Sequence, residues 1–149
     1  MATATKQRPI AEDLFTWPSD DPRLLGGRCD DCGVVTFPQQ RGCPKCGSRA
    51  VGPIELSPRG TLWTFTTQDF EVKEPYKGTG ADGSFEPFGL GYVELAENVK
   101  VETRLTERDP EKLRIGMPMQ LVIVPAYTDP DGTGVVTFAF APSPESQEA

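Results

Sequence analysis

Residues 29–46 read CDDCGVVTFPQQRGCPKC, and their two C-x-x-C pairs, ten residues apart, hold all four cysteines of the chain. Two residues between cysteines let both sulfurs turn toward one point about 2.3 Å away, so two pairs can close a tetrahedron around one ion. Gly33 and Gly47 follow the pairs, where a positive φ lets backbone amides point at sulfur. The pattern is a metal knuckle with Cys29, Cys32, Cys43 and Cys46 as candidate ligands. Zinc is favoured as the commoner structural ion, and a rubredoxin-like iron site is the metal alternative. Disulfides fit poorly in a chain whose start lacks the apolar stretch of a secretory signal. A thioredoxin-type redox pair would need a βαβ context, which neither C-x-x-C has. Four thiolates leave no coordination position for water or substrate, whereas catalytic zinc keeps one open. The site therefore reads as structural, folding a segment too small for its own core.

Between the pairs, VVTFP (34–38) has the content of a short strand, ended by Pro38. Upstream, residues 1–12 are polar and without periodicity, an expected frayed end. In DLFTWPSDDPRLLGGR (13–28), a short helix or turn is expected before Pro18. Phe15, Trp17, Leu24 and Leu25 are expected to lie exposed there as a contact patch for another surface.

Downstream of residue 59 the pattern turns to strands. GTLWTFTTQDFEV (60–72) alternates, with Trp63 and Phe65 on one side as expected core. FGLGYVEL (88–95) follows, with Gly89 and Gly91 marking a bulge or a close backbone approach. AEN (96–98) joins it to VKVETRL (99–105) as a hairpin. MQLVIVPAY (119–127), the turn DPDGTG (129–134) and VVTFAFAP (135–142) complete five strands. ERDPEKLRIGMP (107–118) is a connector with room for one helical turn started by Asp109 and Pro110. Residues 73–87 read as a long loop and the tail SPESQEA as disordered. Five strands in so short a stretch predict a small barrel, whose closure removes exposed edges.

The 149 residues carry a net charge of −7 and no histidine. The acidic balance opposes a primary role on nucleic acid, and without histidine the commonest general base and the serine-hydrolase triad are missing. GTGADG (78–83) lacks the spacing and the following helix of a dinucleotide loop. No run approaches the roughly 20 apolar residues of a membrane helix, so a soluble, cytoplasmic chain is expected. Nothing assembles a nucleophile with its base. Residues 23–59 are locally basic, with a net of +3. Their Arg28, Arg41, Lys45 and Arg49 are candidate contacts for phosphate or for a partner. Trp17, Tyr76 and Phe85 are further candidates for ligand or partner binding, the last two because a Gly-rich loop offers them little core. Glu94 and Glu97 flank the hairpin turn and are expected to hold it in water.

The order of these parts resembles the DUF35 family of zinc-ribbon OB-fold proteins. The likeness rests on RCDDCGVVTFPQQRGCPKCGS, SPRGTLWTFTT, GYVELAENVKVETRL, LRIGMPMQLVIV and VVTFAFAP, and runs over residues 14–142. It implies a mainly β chain: an N-terminal helical lead and partner-contact segment (1–25), a four-cysteine zinc ribbon (26–56), a five-stranded OB-fold barrel (57–142) and a tail (143–149). It places the ribbon ligands on the four cysteines. It also implies a thiolase-like or aldolase partner in a hetero-oligomer acting on acyl-CoA thioesters. Retro-aldol side-chain cleavage, as in steroid degradation, and thiolysis or condensation are the implied reactions, with this chain a required, non-catalytic subunit. The alternative is a nucleic-acid-binding OB and zinc-ribbon module. The AEN turn, shorter than the family's usual one, and the Gly-rich loop bear on substrate more than on fold.

Overall fold

The computed structural model describes residues 6–76 and 85–144, and these form nine strands. They are β1 (Gln7–Pro9), β2 (Leu25–Cys29), β3 (Val35–Thr36), β4 (Val51–Glu55), β5 (Arg59–Gln68), β6 (Phe88–Leu95), β7 (Lys100–Leu105), β8 (Pro118–Thr128) and β9 (Gly134–Pro142). GTGADG and most of the tail SPESQEA lie outside the described residues.

Two sheets result. The ribbon sheet has the order β3-β2-β4, all antiparallel. The larger sheet closes on itself: β5 pairs with β6, β6 with β7, β7 with β9, β9 with β8, and β8 with β5. All these pairings are antiparallel except the parallel meeting of β7 and β9. This is a five-stranded OB-type barrel. β1 lies parallel to β9, Gln7↔Gly134 to Pro9↔Val136, as an added wall.

One core runs from the lead through the barrel. Phe15, Leu24, Leu56, Leu62, Val93, Val101, Met119 and Phe140 belong to it. The ribbon is joined to it by the edge-on contact of Phe37 with Phe138, ring centroids 5.5 Å apart, and by the Leu56 N–H donating to Leu24 O at 2.9 Å.

Three expectations are corrected. The lead is not helical: no α-helix occurs among the described residues. Prolines at 9, 18 and 22 deny a helix its ladder. The backbone bonds elsewhere instead, with Leu25 N–H donating to Leu14 O and Thr16 N–H to Arg23 O, each at 2.9 Å. Phe15 and Leu24 are not an exposed patch, because they are 1% and 0% exposed within the core. Trp63 is not core. A register shift between Leu62 and Thr64 makes it the extra residue of a β-bulge. Leu62 and Phe65 therefore face inward while Trp63, 51% exposed, meets Tyr92 and Lys100 on the outer face.

The connectors are local turns. Asp109 Oδ1 accepts from the Glu111 N–H at 2.9 Å, an Asx turn that ends without a helix. Asn98 takes φ 63 at the β6–β7 turn, the left-handed region that asparagine tolerates. Glu97 does more than face water. One carboxylate oxygen accepts the Ser57 N–H, which ties the hairpin tip to the ribbon–barrel joint, and the other is buried without a partner among the described residues.

Candidate metal centre and barrel groove

The knuckles repeat one construction. In the first, Gly33 N–H donates to Cys29 O at 2.9 Å with Gly33 at φ 79. In the second, Gly47 N–H donates to Cys43 O at 2.9 Å with Gly47 at φ 78. These tight turns free amides for sulfur: Cys32 N–H points at Cys29 Sγ at 3.5 Å, and Lys45 and Cys46 N–H at Cys43 Sγ at 3.4 Å. The Cys46 amide holds the Cys43 thiol down to about 6, and the Cys32 amide lowers Cys29 likewise. Cys46, although the Ser48 amide pulls it down, is pushed up to about 12 by the neighbouring Cys29 thiol and by burial. Without a cation, four sulfurs so close cannot all shed their protons.

The four sulfurs lie within 4.8 Å of one another, with Cys29–Cys46 at 3.6 Å and Cys32–Cys43 at 3.4 Å. A tetrahedron with bonds of about 2.3 Å has edges of about 3.8 Å, so the donor set fits one tetrahedral ion. Cys29 and Cys43 are buried while Cys32 and Cys46 face solvent.

A groove of about 480 Å³ opens on the barrel, among the ends of β5 and β8, the start of β6 and the strands β7 and β9. Its walls are mainly apolar. Tyr76 stacks on Phe88 with centroids 6.3 Å apart, Phe85 meets the same ring edge-on at 6.2 Å, and the Arg104 guanidinium lies 4.2 Å over it. β1 closes one flank: Arg8 binds Asp129 at 2.9 Å, and Ile10 lines the groove.

The candidate residues thus fall in separate places. Tyr76 lines the barrel groove, and Phe85 packs against its aromatic shelf. Arg41 lines a second groove, between the lead and the ribbon, with Glu12 and Asp13 on its wall. Arg28, Lys45 and Arg49 are exposed on the ribbon and line neither groove. Trp17 is half-buried against Phe15, 6.5 Å away. Arg104 was missed by the sequence reading, although the alternation of VKVETRL already puts Lys100, Glu102 and Arg104 on one outward face.

Residues 17–52 match the family described as ChsH2, rubredoxin-like zinc ribbon domain, and residues 53–124 match ChsH2, C-terminal OB-fold domain. A DUF35 domain-containing scaffold protein of Pyrococcus furiosus is 32% identical over 126 residues, spanning 84% of this chain and 87% of its own length. The benzoylsuccinyl-CoA thiolase subunit BbsA of Thauera aromatica is 29% identical over 130 residues, spanning 86% and 83%. Among solved structures, the Ltp2-ChsH2(DUF35) aldolase is similar with a TM-score of 0.59 and 29% identity, over 80% of this chain and 84% of that one. With its cysteine ribbon, its closed barrel and these relatives, the chain belongs to the DUF35 family.

Proposed function

We propose that the chain is an accessory subunit of a thiolase-like complex acting on acyl-CoA thioesters, and that a partner subunit carries the bond-making residues. The observation that carries this reading is the four-cysteine centre, whose thiolates would fill every position of a tetrahedral ion, beside a barrel that sets no nucleophile against a base among the described residues. Relatives named as a thiolase subunit and as part of an aldolase supply the reaction class. Retro-aldol cleavage and thiolysis both fit that class. The ion is zinc, held by Cys29, Cys32, Cys43 and Cys46, and its role is to fix the ribbon on the barrel. Nothing favours the nucleic-acid reading: the outer face of β6 and β7 sets Glu94 and Glu102 among Lys100 and Arg104, and no basic stripe forms there.

Tyr76 and Phe85 serve contact with ligand or partner, as do Trp17 and the ribbon cations Arg28, Arg41, Lys45 and Arg49. Co-purification from the source cell followed by mass spectrometry tests the subunit reading: a thiolase-like chain is expected in stoichiometric amount, and its absence would remove the reading. Tyr76→Ala and Phe85→Ala are expected to weaken complex formation or turnover about tenfold, near 1.4 kcal/mol, with the melting temperature unchanged. Unaltered binding and activity would count against their role.

A further inference from the structure

The two knuckles are joined outside their sulfurs as well as through them. Cys29 sits opposite Val51 in the β2–β4 ladder, and Asp30 N–H donates to Ala50 O at 2.8 Å. Beyond the ladder, the Ser48 hydroxyl donates to the Asp31 carboxylate. Ser48 also braces its own knuckle. Its carbonyl accepts Cys43 N–H at 2.7 Å, and its hydroxyl oxygen accepts Ala50 N–H at 3.0 Å. The Asp31–Ser48 bond is therefore a side-chain clasp between two loops that have already left the sheet. Its carboxylate acceptor makes it roughly twice as strong as a neutral pair.

The clasp lies on one side of the sulfur cluster. The Asp31 amide bonds the Cys29 sulfur, and the Ser48 amide bonds the Cys46 sulfur. Those two sulfurs are 3.6 Å apart and form one edge of the tetrahedron. The residues whose amides hold that edge are thus tied to each other. Cys32 and Cys43 form the opposite edge, 3.4 Å long. Their sulfurs take amides from Val34, and from Lys45 and Cys46. Apart from the sulfurs themselves, no hydrogen bond crosses that edge among the described residues.

We propose that Asp31 and Ser48 are positioning residues for the metal centre. They hold the Cys29–Cys46 edge closed, so the Cys32–Cys43 edge is the one that opens to load and to release the ion. Neither residue belongs to the four-sulfur donor set. They act through the loops that carry it, by keeping two ligands together before the ion arrives and so lowering the ordering cost of binding. The proposal rests on the zinc reading above and adds which residues outside the thiolates retain the ion.

The purified, zinc-loaded full chain tests it. Zinc release to excess pyridylazoresorcinol, a chromogenic chelator, is followed by absorbance. Iodoacetamide labels each sulfur as it comes free, and peptide mass spectrometry reads the order. Cys32 and Cys46 are both exposed, so access alone favours neither. In the wild type Cys32 is expected to be labelled ahead of Cys46. Ser48→Ala is expected to release zinc about tenfold faster, the low end for losing a partner just outside a metal's ligands, and to abolish the lag of Cys46. Ser48→Thr keeps the hydroxyl and should behave as the wild type. Asp31→Asn keeps the shape without the charge; it should also speed release, and it decides the matter if Ser48→Ala folds poorly. Release at the wild-type rate would overturn the proposal, as would Cys46 labelled ahead of Cys32 in the wild type. Faster release with the lag unchanged would also overturn it, because that marks a looser ribbon rather than a clasped edge. A chain that takes up no zinc removes the metal reading itself, whereas a loaded chain with unchanged release removes the clasp alone.

Discussion

Removing the metal with a chelator, or replacing Cys43 by serine, is expected to unfold residues 26–52 while the barrel strands stay folded. The ribbon has little else to hold it. Its strands β2, β3 and β4 have 5, 2 and 5 residues, and Val35, Phe37 and Ile54 are only partly buried. Structural zinc contributes roughly 10–16 kcal/mol of binding energy in small ribbons and fingers, and that energy is folding energy. The barrel is held separately, by packing around Leu62, Val93, Val101, Met119 and Phe140. Hydrogen exchange before and after chelation separates the two: amides in 26–52 should lose protection, and those of β6, β8 and β9 should keep it. Retained protection across both knuckles would show that the thiolates do not carry the ribbon.

Gly91→Val is expected to destabilise the barrel by about 3 kcal/mol, near the upper end for overpacking. Gly91 faces inward on β6. A Cβ there would sit 2.5 Å from the Thr64 carbonyl oxygen of β5 and 3.2 Å from the Leu105 side chain. The carbonyl belongs to the backbone of a paired strand and cannot swing aside. Gly52 is the control, because nothing lies within 4 Å of a Cβ at that site and φ is not left-handed. Gly52→Ala should change stability by less than about 0.5 kcal/mol, as surface substitutions do. Urea unfolding midpoints read both. Equal midpoints for the two variants would remove the close approach as an explanation.

What the sequence disclosed follows which forces act locally. The knuckles were legible because four thiolates that can share one tetrahedral ion need a fixed spacing, and glycine follows each pair for a backbone reason. The strands from residue 60 onward were legible by alternation, and Gly89 and Gly91 by their place inside strands. Trp63 was misread because alternation assumes an unbroken register. One extra residue between Leu62 and Thr64 moves the indole to solvent, and nothing in GTLWTF announces the bulge. The lead was misread for a different reason. Phe15 and Leu24 have no periodic partners in sequence, so their burial comes only from tertiary contact with Leu56 and the barrel. The groove was half legible. Tyr76 and Phe85 stood out as aromatics in a loop, whereas the place of Arg104 over the Phe88 ring depends on the register of β6 with β7.

Turnover of an acyl-CoA thioester, measured with the purified chain alone and after mixing with its co-purified thiolase-like partner, tests the division of labour most directly. The chain alone should give no turnover above the uncatalysed rate, and the mixture should restore activity. Thioester turnover by the solitary chain, with its four sulfurs metal-bound, would contradict it.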